Sequence, residues 1–115
     1  YPTPDGTGIR DYIHVMDLAE GHVAALSYNK ANPGIKFFNL GTGEGTSVLE
    51  LLETFEEVNK VKIPYSYSER RPGDVFSSYA DVSKAKRLLN WEAKKSIGLM
   101  CEDSWRWQTN NPHGY

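Results

Sequence analysis

The 115-residue chain has an ordinary composition for a globular domain and a nearly balanced charge. Apolar residues make up 39% of it and charged residues 24%, and its 13 basic and 15 acidic side chains leave a formal charge of −2. That charge gives no argument for nucleic acid or an anionic membrane as a partner. No apolar run is long enough to span a bilayer. A single cysteine, Cys101, excludes an internal disulfide, so we expect a cytoplasmic protein.

The first third of the chain predicts a strand followed by a helix. Residues 12–15 are strand-like, and Asp17 and Glu20 have the spacing of a capping box that begins a helix extending to about Leu26. An Asn-Pro-Gly sequence at 32–34 predicts a turn after this helix.

The middle of the chain repeats this order. Residues 35–40 (IKFFNL) are the most strand-like segment of the sequence, with turn signals on both sides. Ser47 and Glu50 have the spacing of a second capping box, and apolar residues follow at helical intervals. Residues 63–67 predict a further short strand, after which a polar loop begins.

Two more helices are predicted in the last third. Asp81 is placed to cap a helix that ends near Asn90, and Ser96 to cap a final helix that ends before the Asn-Pro at 111–112. The whole chain, 1–115, is therefore predicted to be α/β, with a small sheet and several helices. A sheet this small is marginal alone, and the chain opens without an initiator methionine. We therefore expect it to pack on a further part of a longer protein.

A glycine-rich turn lies between a predicted strand and a predicted helix in FFNLGTGEGTSVLELLE, residues 37–53. This is the context in which dinucleotide pyrophosphates bind. The fingerprint is G-x-G-x-x-G, but the third glycine is Gly45, one residue early, and Thr46 takes the last glycine's position. We interpret the segment as a tight loop and not as an NAD site, and leave contact with another ligand open.

No set of residues in this chain has the spacing of a complete catalytic site. The three histidines are dispersed and lack metal-ligand spacing, and we interpret His14 and His22 as structural. No tyrosine has a lysine four residues after it, so the pair that activates a phenol in short-chain dehydrogenases is missing. We expect these residues to carry out no chemistry by themselves.

Arginines in two loops offer anion-binding groups. Arg10 follows the loop DGTG, and Arg71 lies in RRPGD, which also contains Asp74. Guanidinium groups bind phosphate oxygens through paired hydrogen bonds, so two of them can clamp a pyrophosphate. Asp74 could accept hydrogen bonds from a ribose or orient an arginine. Solvated surface charge is the alternative explanation, and the residues alone leave both open.

Several longer motifs are similar to those of one enzyme family. The stretches YPTPDGTGIRDYIHVMDLAEGHVAAL, FNLGTGEGTSVLEL, RRPGD, YADVSKAKRLLNW and CEDSWRWQTNNPHGY resemble the UDP-glucose (UDP-galactose) 4-epimerases, which are extended short-chain dehydrogenases/reductases. The resemblance spans residues 1–115 and implies the C-terminal, substrate-binding part of such an enzyme. It implies NAD-dependent C4 epimerisation, with NAD and the catalytic tyrosine and lysine in an N-terminal Rossmann domain that this chain lacks. It also implies a homodimer formed through that N-terminal domain.

The resemblance further implies binding roles for particular residues. Arg10 and Arg71 match arginines at the UDP pyrophosphate, and Asp74 matches an acid at the ribose. Tyr12 and Val48 are implied to line the nucleotide end of the site.

Ser78 marks a departure from part of the family. Some bacterial members have a tyrosine at this position that narrows the sugar pocket. The serine predicts a wider pocket that accepts UDP-GlcNAc and UDP-GalNAc besides UDP-glucose and UDP-galactose. Two alternatives to an epimerase stay open: a related sugar-nucleotide dehydratase or decarboxylase, and a stand-alone nucleotide-binding module.

Overall fold

The structure, a computed structural model, describes residues 1–114. In this range it has three two-residue strands, β1 (Ile9–Arg10), β2 (Thr46–Ser47) and β3 (Ser77–Ser78). Its helices are α1 (Val15–Ala31), α2 (Val48–Asn59), α3 (Ser83–Leu89) and α4 (Ile97–Asn110). The predicted α/β class, with a small sheet and several helices, is confirmed.

The sheet places β1 between the other two strands, in the order β2–β1–β3. β1 runs antiparallel to β2 and parallel to β3. Arg10 pairs with Thr46 on one side and with Ser78 on the other. The sheet therefore brings three distant chain segments together at Arg10.

The helices pack in two pairs. α1 packs against α3 over a core of Ala85, Leu89 and Trp91, with partly buried apolar side chains around it. α2 packs against α4, where Phe55 and Trp105 meet edge to face at 5.7 Å. Burial of apolar side chains in these two contacts is what holds the helices together.

Asp17 links α1 to the chain between α3 and α4. Its side chain is only 1% exposed, and Oδ2 accepts hydrogen bonds from the backbone N–H groups of Lys94 (3.0 Å) and Lys95 (2.9 Å). Its backbone oxygen accepts a hydrogen bond from Trp91 Nε1 at 3.1 Å. A buried carboxylate needs such donors, because its charge is otherwise costly to remove from water.

The start of α1 differs from the prediction. Residues 12–15 form no strand, and Asp17 is not the N-cap. The cap is His14, whose Nδ1 accepts a hydrogen bond from Met16 N at 3.0 Å, while Nε2 contacts Asp103 Oδ2 at 2.8 Å. His14 thus has the structural role we predicted, joining the beginning of α1 to α4, and the helix continues to Ala31.

Two predicted strands are absent from the described chain. Residues 35–40 and 63–67 belong to no sheet in the range 1–114. In the first segment Phe38 and Leu40 pack on the core, whereas Ile35 is 88% and Phe37 82% exposed. The alternation typical of a strand is present, but a strand needs a neighbour to pair with its backbone.

The other helix boundaries follow the sequence signals closely. The capping box of Ser47 and Glu50 is present in full, and Ser96 caps α4 through a hydrogen bond from Leu99 N. α3 ends near Asn90, as expected: its last residue is Leu89, and Asn90 is the C-cap, in a left-handed conformation. Its N-cap is Val82 and not Asp81, whose carboxylate instead accepts hydrogen bonds from the N–H and hydroxyl of Ser83.

Within residues 1–114, no helix has the length and apolar character required to cross a membrane.

Replacing Asp17 by Ala should lower the free energy of unfolding by about 2–4 kcal/mol, because two partly buried backbone N–H groups lose their carboxylate acceptor. Asp17→Asn should cost less, since the amide oxygen can still accept. Urea unfolding of the protein measures both. Glu20→Ala, an exposed change on the same helix, is the control and should alter stability by less than about 0.5 kcal/mol. An Ala variant as stable as this control would contradict the role given to Asp17.

Candidate functional site

An ion pair between Arg10 and Asp74 forms the centre of the site. Arg10 Nη2 lies 2.6 Å from Asp74 Oδ1 and also donates to the Val75 backbone oxygen at 3.0 Å. Arg10 Nη1 donates to the Ile9 oxygen at 2.7 Å. A guanidinium has five N–H donors, of which these contacts use three. The contacts therefore fix the orientation of Arg10 and leave donors for an anion.

Tyr1 and Arg70 complete the surroundings of Asp74. The Tyr1 hydroxyl donates a hydrogen bond to Asp74 Oδ2 at 2.6 Å. The Arg70 guanidinium lies 5.0 Å from the centre of the Tyr1 ring, in cation–π geometry, and donates to the Asp74 backbone oxygen at 2.6 Å. Arg71 belongs to the same turn, where its backbone oxygen accepts from Asp74 N. Several cationic groups are thus concentrated around one carboxylate.

These contacts lower the pKa of Asp74. The hydrogen bond from the Tyr1 hydroxyl has the largest effect; burial opposes it by raising the pKa, and the positive charges of Arg10 and Arg71 lower the pKa further. The same hydrogen bond raises the pKa of Tyr1, because the hydroxyl gains from keeping its proton next to a carboxylate. Asp74 is therefore ionised at neutral pH and holds Arg10 as an ion pair.

The glycine-rich loop at residues 41–45 faces Asp11, the residue after Arg10. Asp11 Oδ1 accepts from Thr42 N (2.8 Å) and Thr42 Oγ1 (2.6 Å), and Oδ2 accepts from Gly43 N (3.0 Å) and Ala80 N (3.2 Å). Burial acts to raise the pKa of Asp11, but these hydrogen bonds outweigh it and hold the pKa below its usual value. The N–H groups of the loop thus already bind an anion that belongs to the protein.

The loop before β1 caps the N-terminus of α2. Asp5 accepts hydrogen bonds from the N–H and hydroxyl of Thr7 and from the hydroxyl of Ser47. Thr7 Oγ1 accepts from Leu49 N, and Val48 N donates to the Gly8 backbone oxygen at 3.0 Å. The free N–H groups at this helix end are therefore paired inside the protein.

The residues implied by the resemblance fall into three places. Arg10 and Ser78 lie on adjacent strands and line one surface cavity of about 410 Å³, with Asp74 bound to Arg10. Tyr12 is half-buried and lines a separate cavity of about 260 Å³, bounded also by the glycine-rich loop. Val48 stands at the start of α2 with its side chain partly exposed. Their binding roles stay predictions.

Three residues of this region escaped the sequence reasoning: Tyr1, Arg70 and Asp11. Tyr1 and Asp11 act through partners far along the chain, for which no local pattern exists. The doubled arginine at 70–71 was the one available signal for Arg70.

Other candidate groups have structural surroundings. Cys101 is buried between α2 and α4, and burial raises the pKa of its thiol, as expected for a packing residue. His22 lies on α1, where Nδ1 contacts the Leu18 backbone oxygen at 2.8 Å. In the described part of the chain, no group of three or more His, Cys, Asp or Glu side chains is placed to hold a metal ion.

Comparison with known proteins shows to which protein family the chain belongs. A family model described as GDP-mannose 4,6 dehydratase matches residues 2–104. The match covers most of the chain, which therefore belongs to this family of extended short-chain dehydrogenases/reductases.

Within that family, the chain is similar to UDP-glucose 4-epimerases. The enzyme of Bacillus subtilis (strain 168) is 56% identical over 115 residues, which are 100% of this chain and 34% of the relative. The structure of the Bifidobacterium longum enzyme in complex with NAD⁺ and UDP matches with a TM-score of 0.88 and 48% identity, over 100% of this chain and 34% of that one. The UDP-Glc/GlcNAc 4-epimerase of Campylobacter jejuni matches with a TM-score of 0.83 and 38% identity, over 96% and 33%.

The resemblance stated from the sequence is thus confirmed. The chain spans about a third of the length of the curated relatives that it matches.

The Tyr1 hydrogen bond should be the main cause of the low pKa of Asp74. Tyr1→Phe should raise this pKa towards its ordinary value of 3.8 more than Arg71→Gln does. Because the folded-state pKa is lowered, the stabilisation by Asp74 is complete well above pH 3.8 and is lost as the pH falls through the lowered value. Carboxyl ¹³C NMR titration measures the shift. The Asp81 carboxyl, held by Ser83, should titrate unchanged in both variants, and an Asp74 that titrates normally in the wild type would refute the assignment.

Proposed function

We propose that these residues form the UDP-binding part of a UDP-hexose 4-epimerase that interconverts UDP-glucose and UDP-galactose. The observation that carries the proposal is Arg10 on the central strand, oriented by its ion pair with Asp74, within a chain that is 56% identical over its whole length to the UDP-glucose 4-epimerase of Bacillus subtilis. The relatives are about three times as long, so we assign the activity to the full-length protein.

In this proposal the arginines anchor the nucleotide. Arg10 and Arg71 bind the pyrophosphate, Asp74 accepts hydrogen bonds from the ribose, and Tyr12 and Val48 contact the nucleotide end. Arg10 is held in place before any ligand arrives, so little side-chain entropy is lost when it binds phosphate. An anchor of this kind holds UDP firmly and leaves the hexose free to turn, and binding energy remote from the reacting carbon positions it.

NAD does not fit the glycine-rich loop of this chain. The N–H groups of Thr42 and Gly43 are occupied by Asp11, whose negative charge would repel a pyrophosphate. The relative from Bifidobacterium longum is in complex with NAD⁺ and UDP. We therefore place NAD, and with it the redox chemistry, in a part of the full-length protein outside residues 1–115.

The surroundings of Ser78 support a wider range of sugars. Ser78 lines the same cavity as Arg10 and is exposed, and a serine leaves more space there than a tyrosine. A relative of this chain is named a UDP-Glc/GlcNAc 4-epimerase. We propose that UDP-GlcNAc and UDP-GalNAc are substrates as well.

The full-length protein is proposed to be a cytoplasmic homodimer. The resemblance implies that the dimer contact lies outside these residues, in an N-terminal NAD-binding domain. The exposed Ile35 and Phe37, on an extended segment whose other side packs on the core, are where we expect such a domain to adjoin residues 1–115. The lone, buried Cys101 is consistent with a reducing compartment.

A sugar-nucleotide dehydratase is the second candidate, because the matching family model carries that description. Product analysis separates the two reactions. An epimerase yields a product of unchanged mass, whereas a dehydratase product has lost water.

The full-length protein should convert UDP-galactose to UDP-glucose, and Arg10→Lys should weaken UDP binding by about 10- to 100-fold, because lysine cannot form the paired hydrogen bonds of a guanidinium. Coupled assay and calorimetric titration with UDP measure the two effects. Arg87→Lys, an exposed arginine on α3, is the matched control and should bind UDP normally. If the wild type binds no UDP, or Arg10→Lys binds as tightly as the control, the proposed site is wrong.

Ser78→Tyr should reduce kcat/KM for UDP-GlcNAc about tenfold more than for UDP-glucose, since the larger side chain fills the space for the N-acetyl group. Steady-state kinetics on both substrates test this. Ser78→Ala adds no bulk and should preserve the ratio between the substrates. Equal losses on both substrates in the tyrosine variant would exclude Ser78 as a determinant of sugar size.

A further inference from the structure

Asp11 is the point at which three parts of the chain meet. Its carboxylate accepts four hydrogen bonds, two from Thr42, one from Gly43 and one from Ala80. These partners are 31, 32 and 69 residues away along the chain. One side chain thus ties the segment after β1 to the glycine-rich loop and to the segment after β3.

Each of these parts carries a residue of the proposed site. Asp11 is covalently next to Arg10, Ala80 lies two residues after Ser78, and the glycine-rich loop leads through β2 to Val48. The paired strands that align these parts are only two residues long, so backbone pairing alone is a weak constraint on their spacing.

The glycines of the loop leave space for this carboxylate because they have no side chain. A Cβ atom on Gly41 would stand 2.5 Å from Asp11 Oδ2 and 3.0 Å from the Ala80 Cβ atom. Gly43 has a φ of +80°, which glycine adopts without strain and which turns its N–H towards Oδ2. The loop therefore uses the geometry of an anion-binding turn to hold an internal anion.

We propose that Asp11 is a positioning residue that sets the place of Arg10 in the UDP site by binding the glycine-rich loop. The proposal rests on the proposed function. Asp11 touches no ligand in it and acts through the three segments that it joins. The low pKa of its carboxyl agrees with a charge that stays ionised throughout the neutral range.

Asp11→Asn in the full-length protein tests the proposal. An amide has one acceptor oxygen, so its NH₂ group must face either the Thr42 donors or those of Gly43 and Ala80. We expect Kd for UDP, and KM for UDP-galactose, to rise about tenfold or more, with kcat changed less than KM. A defect in stability alone would not produce that split.

Glu56→Gln is the matched control. Glu56 is also a partly buried carboxylate that accepts a backbone N–H, from Ile63 at 2.7 Å, but neither residue lines the cavities of Tyr12 or Arg10. This variant should lose thermal stability and keep the wild-type Kd for UDP. Equal UDP affinity in Asp11→Asn and Glu56→Gln would overturn the proposal.

Gly41→Ala tests the positioning role of Asp11 if the Asp11→Asn variant does not fold. The added methyl group pushes against the Asp11 carboxylate without changing any charge, and should raise Kd for UDP several-fold. Gly98→Ala on α4, where a Cβ would meet its nearest neighbour at an ordinary 3.6 Å, should leave Kd unchanged. Wild-type affinity in folded Gly41→Ala would refute the positioning role, whereas absence of UDP binding by the wild type would refute the proposed function itself.

Discussion

The four hydrogen bonds that end on the Asp11 carboxylate hold together segments that the sheet joins over only two residues per strand. A partly buried carboxylate forms strong hydrogen bonds with protein donors, because few water molecules can hydrate its charge there. The result is local rigidity around Arg10 that does not depend on a large sheet. The glycine-rich loop, which looks like a phosphate-binding element in the sequence, is part of this support.

Side chains play a similar role elsewhere in the chain. Asp5 ties the loop before β1 to the cap of α2, and Asp17 ties α1 to the chain that leads into α4. His14 and Asp103 join the beginning of α1 to α4. Each contact lies at or just before the beginning of a helix, where backbone N–H groups need partners from outside the helix. The two helix pairs are therefore connected by polar contacts as well as by their apolar cores.

The sequence predicted those features whose causes are local. The capping box at Ser47, the cap at Ser96 and the end of α3 near Asn90 depend on residues within one helical turn and were predicted correctly. The N-cap of α1 was missed because aspartate is a common N-cap residue, but Asp17 instead accepts hydrogen bonds from Lys94 and Lys95. These partners are 77 and 78 residues further along the chain. The predicted strand at 35–40 has the correct alternation, yet pairing depends on a neighbour that local sequence cannot supply.

In the candidate site, too, the sequence indicated individual residues but not the long-range contacts between them. The sequence indicated Arg10, Arg71 and Asp74 as possible anion-binding groups, and the resemblance added Ser78. The structure brings all four together, since Asp74 pairs with Arg10, the Asp74 N–H donates to the Arg71 oxygen, and Ser78 lines the same cavity as Arg10. Nothing in the spacing of the sequence indicated that Asp74 would accept hydrogen bonds from both Arg10 and Tyr1. These partners are 64 and 73 residues away, and only the fold brings them together.

The hydrogen bonds between Asp11 and the glycine-rich loop also limit the insertions and deletions that this region can accept. An insertion within residues 41–45 would carry Thr42 or Gly43 out of reach of a short carboxylate side chain. Residues 64–69, by contrast, are exposed, belong to no helix or strand and precede Arg70 and Arg71, so added residues there cost little beyond loop-closure entropy. Changes in length should therefore be tolerated at one border of the site, while the opposite border requires a fixed number of residues.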